Sequence, residues 1–156
     1  MVNAHEVPAN ILIDKITADL KKTSQLTPPV WIPYVKSSPN RHRLPNNDDW
    51  WYTRCASILR KIYLNGPIGL SKLEYEYGGS VKKGYSPKKH VNSGGSIIRN
   101  ALTQLEAIGL VSKTESNGRI ITSKCSSLID KASTEIMKQL INTIPDMKRY
   151  VSDKNE

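Results

Sequence analysis

The order of helices and strands predicted between Gly66 and Thr122 constrains the fold more than any other feature of the sequence. GPIGLSKLEYEYGG predicts a short helix, and GSIIRNALTQLEAIG predicts a longer one. LVSKTESNGRIIT predicts a hairpin, because Asn117-Gly118 is typical of a type I′ turn, which needs positive φ at both positions. Two helices followed by a hairpin indicate a winged helix-turn-helix core. A basic, glycine-rich insertion, 80–93, stands where the turn would be.

The short helix carries capping signals at its start. Ser71 and Glu74 have the spacing of a capping box, in which each side chain accepts from the other residue's backbone N–H. Leu70 and Tyr75 are placed to pack together as a hydrophobic staple. One residue of the Gly-Gly pair that follows is expected to take the left-handed position that ends the helix.

Further amphipathic helices flank this core. Apolar residues recur at helical spacing over 10–22, over 48–64 and over about 127–143, so each segment is predicted to bury one face. Five of the nine prolines lie in 27–49, which excludes helix there and predicts an irregular, extended path. The side chains expected to anchor that path by packing on the core are Trp31, Tyr34 and Val35.

We therefore predict a mainly α chain that forms a single domain over 1–156. Its winged-helix core is expected over about 49–144, with a small β-hairpin wing, extra N- and C-terminal helices and a basic inserted loop. The N-terminal helix and the proline-rich segment, 9–48, are expected to pack on that core. The polar tail, 146–156, is expected to be loose.

The net charge indicates a polyanionic partner. The chain has 23 lysines and arginines against 14 acidic residues, which gives +9, and its pI is near 9.6. Nucleic acid is the usual partner of a small chain with such a charge. The alternative is that the charge serves solubility alone.

Basic residues in four places are the candidate nucleic-acid contacts. The helix over 48–64 carries basic and no acidic residues on its polar face, and the second core helix carries one arginine. The insertion is expected to be a mobile loop that orders on binding. The candidates are Arg54, Arg60 and Lys61; Arg99; Lys82, Lys83, Lys88 and Lys89; and Arg41 and Arg43. For Arg54 an ion pair with a nearby carboxylate remains the alternative.

The groups that catalysis or metal binding would need are not gathered in the sequence. Cys55 and Cys125 are far apart and outside any CxxC or Cys/His cluster, the three histidines are scattered, and no phosphate-binding loop is present. We therefore expect no enzymatic activity, no metal and no cofactor. The N-terminus does not have the pattern of a signal peptide, and no apolar run is long enough to span a bilayer, so a cytoplasmic protein is expected.

Several motifs in the same order resemble family nineteen-e of the small-subunit ribosomal proteins, which archaea and eukaryotes share. The first is DDWWYTRCAS, 48–57, followed by Arg60 and by Tyr-Leu before a glycine. The second is Tyr-Gly-Gly before a basic stretch, and the third is PKKHVNSGGSIIRNALTQLE, 87–106, in which Thr103 departs from the family's glutamine or basic residue. The lack of a long basic C-terminal tail favours an archaeal chain.

The resemblance implies a winged-helix protein of the small-subunit head that binds ribosomal RNA, lies beside other small-subunit proteins and takes part in maturation of the subunit. It also implies that Arg54, Arg60 and Arg99 face RNA. We expect a monomer when the protein is outside the ribosome. A winged-helix transcription regulator is the alternative, and a stable dimer would favour it. A protein–protein adaptor that uses the proline-rich segment is a third possibility.

Overall fold

The computed structural model of the chain describes residues 2–23, 25–114, 118–144 and 146, which form five α-helices and two antiparallel hairpins. The helices are α1 (Ala9–Lys22), α2 (Trp50–Asn65), α3 (Leu70–Glu76), α4 (Gly95–Ala107) and α5 (Ser123–Thr143). The strands are β1 (Gly79–Val81), β2 (Lys89–Val91), β3 (Val111–Thr114) and β4 (Gly118–Ile121). The mainly helical fold with a winged-helix hairpin is confirmed.

One cluster of buried apolar side chains joins the five described helices. Each helix gives it at least one fully buried residue: Leu12, Trp51, Leu73, Leu102 and Ile129. Burying such a side chain contributes about 1.5–3 kcal/mol relative to leaving it in water. Packing against this cluster therefore explains why segments with a single apolar stripe form stable helices. None of the described helices combines the length and apolarity needed to cross a membrane.

The wing is the hairpin β3–β4, which pairs from Val111 opposite Ile121 to Thr114 opposite Gly118. Ile68, just before α3, forms a bridge to Arg119 through two backbone hydrogen bonds of 3.1 and 3.0 Å. The predicted two-residue turn at Asn117-Gly118 is wrong, because Gly118 already pairs with Thr114 as the first residue of β4. Gly118 has a φ of +94°, and its Cα lies so close to Ile68 that a Cβ would collide with the Ile68 carbonyl. Asn117, the other predicted turn residue, lies outside the described residues, as do Pro145 and residues 147–156 of the predicted tail.

Two details predicted for α3 are wrong. The helix begins at Leu70 with Gly69 at the N-cap and no side-chain cap, so Ser71 and Glu74 do not form a capping box. Leu70 packs partly buried on the core, whereas the ring of Tyr75 is 59% exposed and stacks on His90, so the two do not form a staple. Ser71 already lies inside the helix, one residue past the first helical position, where its hydroxyl cannot act as the cap.

The insertion predicted as a loop is a second hairpin, in which Gly79 pairs with Val91 and Val81 with Lys89. The Gly-Gly pair at its base does not have the left-handed conformation predicted for a helix end. Glycine matters at both positions because it has no side chain. A Cβ on Gly78 would collide with the Val91 carbonyl, and a Cβ on Gly79 would collide with the Asn40 side chain. Gly78 therefore allows the two strands of the hairpin to lie close together at its base, and Gly79 allows the hairpin to approach the proline-rich segment closely.

The proline-rich segment is anchored by Trp31 rather than by Tyr34. Trp31 packs edge-on against Trp51 of α2, with ring centroids 6.0 Å apart. Tyr34 is 81% exposed, so its predicted role as an anchor is wrong. It ends a single 3-10 turn whose buried residue is Ile32, and that turn directs its ring outward.

We expect Trp51→Ala to lower the free energy of unfolding by about 3–5 kcal/mol, because it removes a fully buried aromatic side chain from the centre of the core. The matched control is Tyr34→Ala, which removes an exposed ring and is expected to change that free energy by less than about 0.5 kcal/mol. Urea unfolding followed by far-UV circular dichroism measures both. Equal losses in the two variants would contradict the packing described here.

Candidate nucleic-acid interface

Two cationic side chains lie over the ring of Tyr77, the residue that follows α3. Arg54 Cζ is 4.2 Å from the ring centroid, and Lys61 Nζ is 4.3 Å from it. Arg54 and Lys61 share a face of α2 because they are about two helical turns apart. The Tyr77 hydroxyl shares a hydrogen bond of 2.8 Å with Ser57 Oγ, from the same face. Burial raises the pKa of Tyr77 to about 12, so the ring stays neutral and attracts cations through its face.

The two cations differ in how their charge is balanced. Lys61 Nζ donates to Glu76 Oε2 at 2.7 Å, and both side chains are about three-quarters buried. Its charge is therefore compensated inside the protein. Lys61 was predicted to contact nucleic acid, and that stays a prediction, but its ammonium already has an anionic partner.

Arg54 has no such partner among the described residues. It takes part in none of their ion pairs, so the carboxylate partner left open by the sequence is not found there. Its Nη1 is buried and has no hydrogen-bond acceptor in the described part of the chain. Burial lowers the pKa of Arg54 from its ordinary value, and the nearby charge of Arg41 adds to that shift. An arginine nevertheless keeps its proton in proteins, so the site holds an uncompensated positive charge.

Arg54 lines a cleft between α2 and residues 37–47, which we call the Arg54 cleft. Its volume is about 360 Å³, and its walls include Ser37, Pro45, Trp50 and Tyr77. A second hollow of about 620 Å³ adjoins it, since Ser37, Pro45 and Asn47 line both. The exposed candidates Arg41 and Arg43 line this second hollow. The predicted basic cluster and Arg54 thus flank one continuous depression.

The lysines of the insertion lie on the hairpin β1–β2. Lys82 and Lys83 follow β1, and Lys88 and Lys89 enter β2, all of them exposed. None takes part in an ion pair with another described residue. The close packing of Gly79 on Asn40, next to Arg41, brings the base of this hairpin beside the depression.

The remaining two candidates lie apart from the cleft. Arg60 is half-buried with an Nε that has no partner in the described part of the chain, and it lies about 120° around α2 from Arg54. Arg99 is exposed on α4, near Gly95. No described contact joins either residue to the Arg54 cleft, so neither is part of that site. Their contacts with RNA stay predictions.

Sequence reasoning missed the aromatic part of the site. Tyr77 was noted only within the Tyr-Gly-Gly motif, and its place under Arg54 depends on contacts between residues 23 positions apart. No local spacing could have shown it. The insertion did carry a sequence signal for aromatic contacts with nucleic acid, because Tyr85 and His90 lie among lysines with no acidic residue nearby.

The described residues hold no group of three or more histidine, cysteine, aspartate or glutamate side chains placed to bind a metal. Cys55 and Cys125 are separate, buried thiols, and burial raises the pKa of each to about 12. They pack as small apolar side chains. The chemistry available at the interface is therefore that of guanidinium, ammonium and aromatic groups.

Comparison with known proteins places the chain among ribosomal proteins. Its sequence matches the family model of ribosomal protein S19e over residues 3–139. It is 44% identical to the small ribosomal subunit protein eS19 of Aeropyrum pernix, over 97% of this chain and 100% of that protein. The eS19 of Thermoplasma volcanium is 40% identical over 97% of this chain and 100% of its own length. In Schizosaccharomyces pombe, eS19B is 34% identical over 88% of this chain and 96% of its own.

We expect Arg54→Met to keep the free energy of unfolding within about 1 kcal/mol of the wild type. The variant loses a cation–π contact, but it keeps most of the side-chain volume and removes a buried charged group that lacks an acceptor. Arg54→Glu is the contrast and should lower the free energy of unfolding more than Arg54→Met does. It puts a carboxylate into the same half-buried position against a tyrosine ring. Urea unfolding measures both, and a loss of 3 kcal/mol or so in Arg54→Met would show that Arg54 is chiefly structural.

Proposed function

The chain belongs to the ribosomal protein S19e family, and on this premise we propose that it binds ribosomal RNA in the head of the small ribosomal subunit. Its role there is structural rather than enzymatic, as is usual in a family of ribosomal proteins. It also takes part in maturation of the small subunit and contacts neighbouring small-subunit proteins. It works in the cytoplasm as part of the ribosome and is a monomer when it is outside it.

The observation that carries this proposal is the uncompensated charge of Arg54 at the wall of an open cleft. Because Arg54 lines the cleft and no carboxylate balances its charge among the described residues, the arrangement favours binding of an oxygen-rich anion there. A phosphate group offers two acceptor oxygens at the spacing of an arginine fork. Arg41 and Arg43, on the same depression, are placed to hold the adjoining phosphates of an RNA strand.

The distribution of ion pairs supports the same conclusion. Among the described residues, lysines of α1 are paired with acidic residues, and so is Arg119 of the wing. Of the ten candidate contacts, by contrast, Lys61 alone has an acidic partner in that part of the chain. The candidate residues around the Arg54 cleft and on the hairpin β1–β2 therefore keep their charge available for phosphates. Some described lysines elsewhere, such as Lys124 and Lys131 of α5, are also outside these ion pairs, so it is the cleft beside Arg54 and not the pairing alone that favours this surface.

A DNA-binding regulator fits the geometry less well. A winged helix of that kind reads the major groove with the second helix of its core, which here is α4. Arg99 is the only basic residue between Gly95 and Ala107, and Gln104 and Glu106 are engaged in bonds within the protein. Arg99 is therefore left as the one basic residue of α4 that could hold a phosphate beside the groove.

We expect Arg54→Met to weaken binding to a transcript of the small-subunit head RNA by about tenfold or more, because it removes a charge-assisted phosphate contact. It should also lower the slope of log affinity against log salt by about 0.7–0.9. The matched control is the double variant Lys61→Met/Glu76→Gln, which removes the neighbouring ion pair on the same face of α2 without changing the net charge and should therefore have a smaller effect. Filter binding at several salt concentrations measures both, and equal effects would contradict the assignment of Arg54.

We expect the protein in a native lysate to sediment with the small ribosomal subunit and to stay with it at moderate salt. The reason is that several phosphate contacts act together, so each one lost to salt leaves the others in place. Gradient sedimentation with detection of this chain is the measurement. Protein that stays at the top of the gradient as a dimer, and that shifts duplex DNA, would instead support the regulator.

A further inference from the structure

We propose that the hairpin β1–β2 binds unpaired nucleotides of RNA by stacking their bases on its exposed aromatic rings. This inference rests on the proposed binding of ribosomal RNA and goes beyond it, because it names the form of RNA that the hairpin recognises. The observations that carry it are two aromatic features outside the Arg54 cleft, together with the lysines that surround them.

The first feature is Tyr85, at the tip of the hairpin. Its side chain is fully exposed, with a relative accessibility of 108%, and its surroundings hold no apolar partner that would explain an aromatic residue there. The backbone around it is ordered by a turn in which the Ser86 N–H donates to the Lys83 carbonyl at 3.2 Å. Gly84 has a φ of +57° at the first inner position of that turn, so Tyr85 occupies the second. The turn therefore places the Tyr85 backbone at the tip of the hairpin, from which the ring projects into solvent.

The second feature is the stacked pair of Tyr75 and His90. Their ring centroids are 4.3 Å apart, and the ring planes make an angle of 34°. Tyr75 comes from the last turn of α3 and is 59% exposed, while His90 comes from β2 and is also exposed. Because the pair lies at the surface, it offers an aromatic platform on which a base can continue the stack.

The charge around these rings suits nucleic acid. The segment 79–92 contains four lysines and no acidic residue. On one face of the hairpin a hollow of about 390 Å³ is lined by Val81, Pro87 and Val91, with Lys83 and Lys89 at its edge. Apolar and aromatic surfaces bordered by ammonium groups match the two parts of a nucleotide, which are a base with apolar faces and an anionic phosphate.

The rings distinguish unpaired RNA from a duplex. In an A-form helix the bases are stacked on one another and proteins reach mainly phosphates, 2′-hydroxyls and the shallow groove, for which lysines suffice. Exposed aromatic rings gain a partner only when bases are splayed out of the stack, as in loops, bulges and single strands. The hairpin therefore carries what recognition of unpaired RNA needs, in addition to the charge that any RNA requires.

The test compares a short single-stranded RNA that carries 2-aminopurine with a duplex of the same length. We expect Tyr85→Leu to weaken binding of the single strand by roughly tenfold, and to reduce the fluorescence quenching to the part that stacking on the Tyr75–His90 pair supplies, while duplex binding stays as in the wild type. Tyr85→Phe is the matched control and should keep both the affinity and the quenching. Since Tyr85 is exposed, none of these variants should alter the unfolding curve.

Two further outcomes separate this inference from the proposed function. If Tyr85→Leu and Tyr75→Leu bind the single strand as the wild type does, while Lys82→Glu weakens it, stacking is refuted and electrostatic binding of RNA stands. If Tyr85→Leu binds every RNA normally but leaves the small subunit during sedimentation, the ring contacts a protein and the inference is also refuted. A wild-type chain that binds neither the head transcript nor the subunit would instead refute the proposed function itself.

Discussion

The packing of Trp51 fixes the parts of the chain on which the rest of the structure depends. Its indole N–H donates to Gln104 Oε1 at 3.2 Å, and the Gln104 amide donates to the Thr27 carbonyl at 2.8 Å. Trp31 packs edge-on against the same ring. One side chain of α2 is thus tied to α4 and to the start of the proline-rich segment. Because that segment has no regular hydrogen-bonded structure beyond one 3-10 turn in its described part, these contacts determine where it runs and so place residues 37–47 opposite Arg54.

The same region keeps a positive charge that the fold itself does not neutralise. Arg54 gains the face of Tyr77, a contact of about 0.5–2 kcal/mol, but loses water at Nη1 without gaining an acceptor among the described residues. Lys61, over the same ring, has its carboxylate. Two cations in nearly the same place therefore differ in the feature that decides their role, since one is satisfied inside the protein and the other lacks a partner. A site that lowers stability in this way is typical of a surface whose partner completes it.

The sequence predicted the elements that have strong periodicity and missed those that depend on tertiary contacts. The apolar stripes of α1, α2, α4 and α5 are long enough to identify each helix, although α5 begins at Ser123 rather than near 127, because Thr122 caps it by accepting from Cys125 N. The hairpin β1–β2 was missed, since strands of only three residues, GSV and KHV, are too short to show an alternation of apolar and polar side chains. The basic candidates were found by residue type alone. Which of them are paired, and that Tyr77 lies beneath Arg54, follows only from the tertiary contacts that Glu76 and Tyr77 make with α2.

The contacts that α4 makes inside the protein fit the proposed binding of RNA better than the reading of DNA. In a DNA reader the second helix must leave its polar face open to enter the major groove. Here Gln104 is committed to Trp51 and Thr27, and Glu106 accepts from Arg119 of the wing at 3.0 Å. The helix thus holds the wing and the proline-rich segment in place. Candidate contacts that have no acidic partner among the described residues lie on α2 and on the inserted hairpin. A rigid helix face beside a cleft, with a separate hairpin that carries exposed rings, suits the irregular surface of a folded RNA better than the regular groove of a duplex.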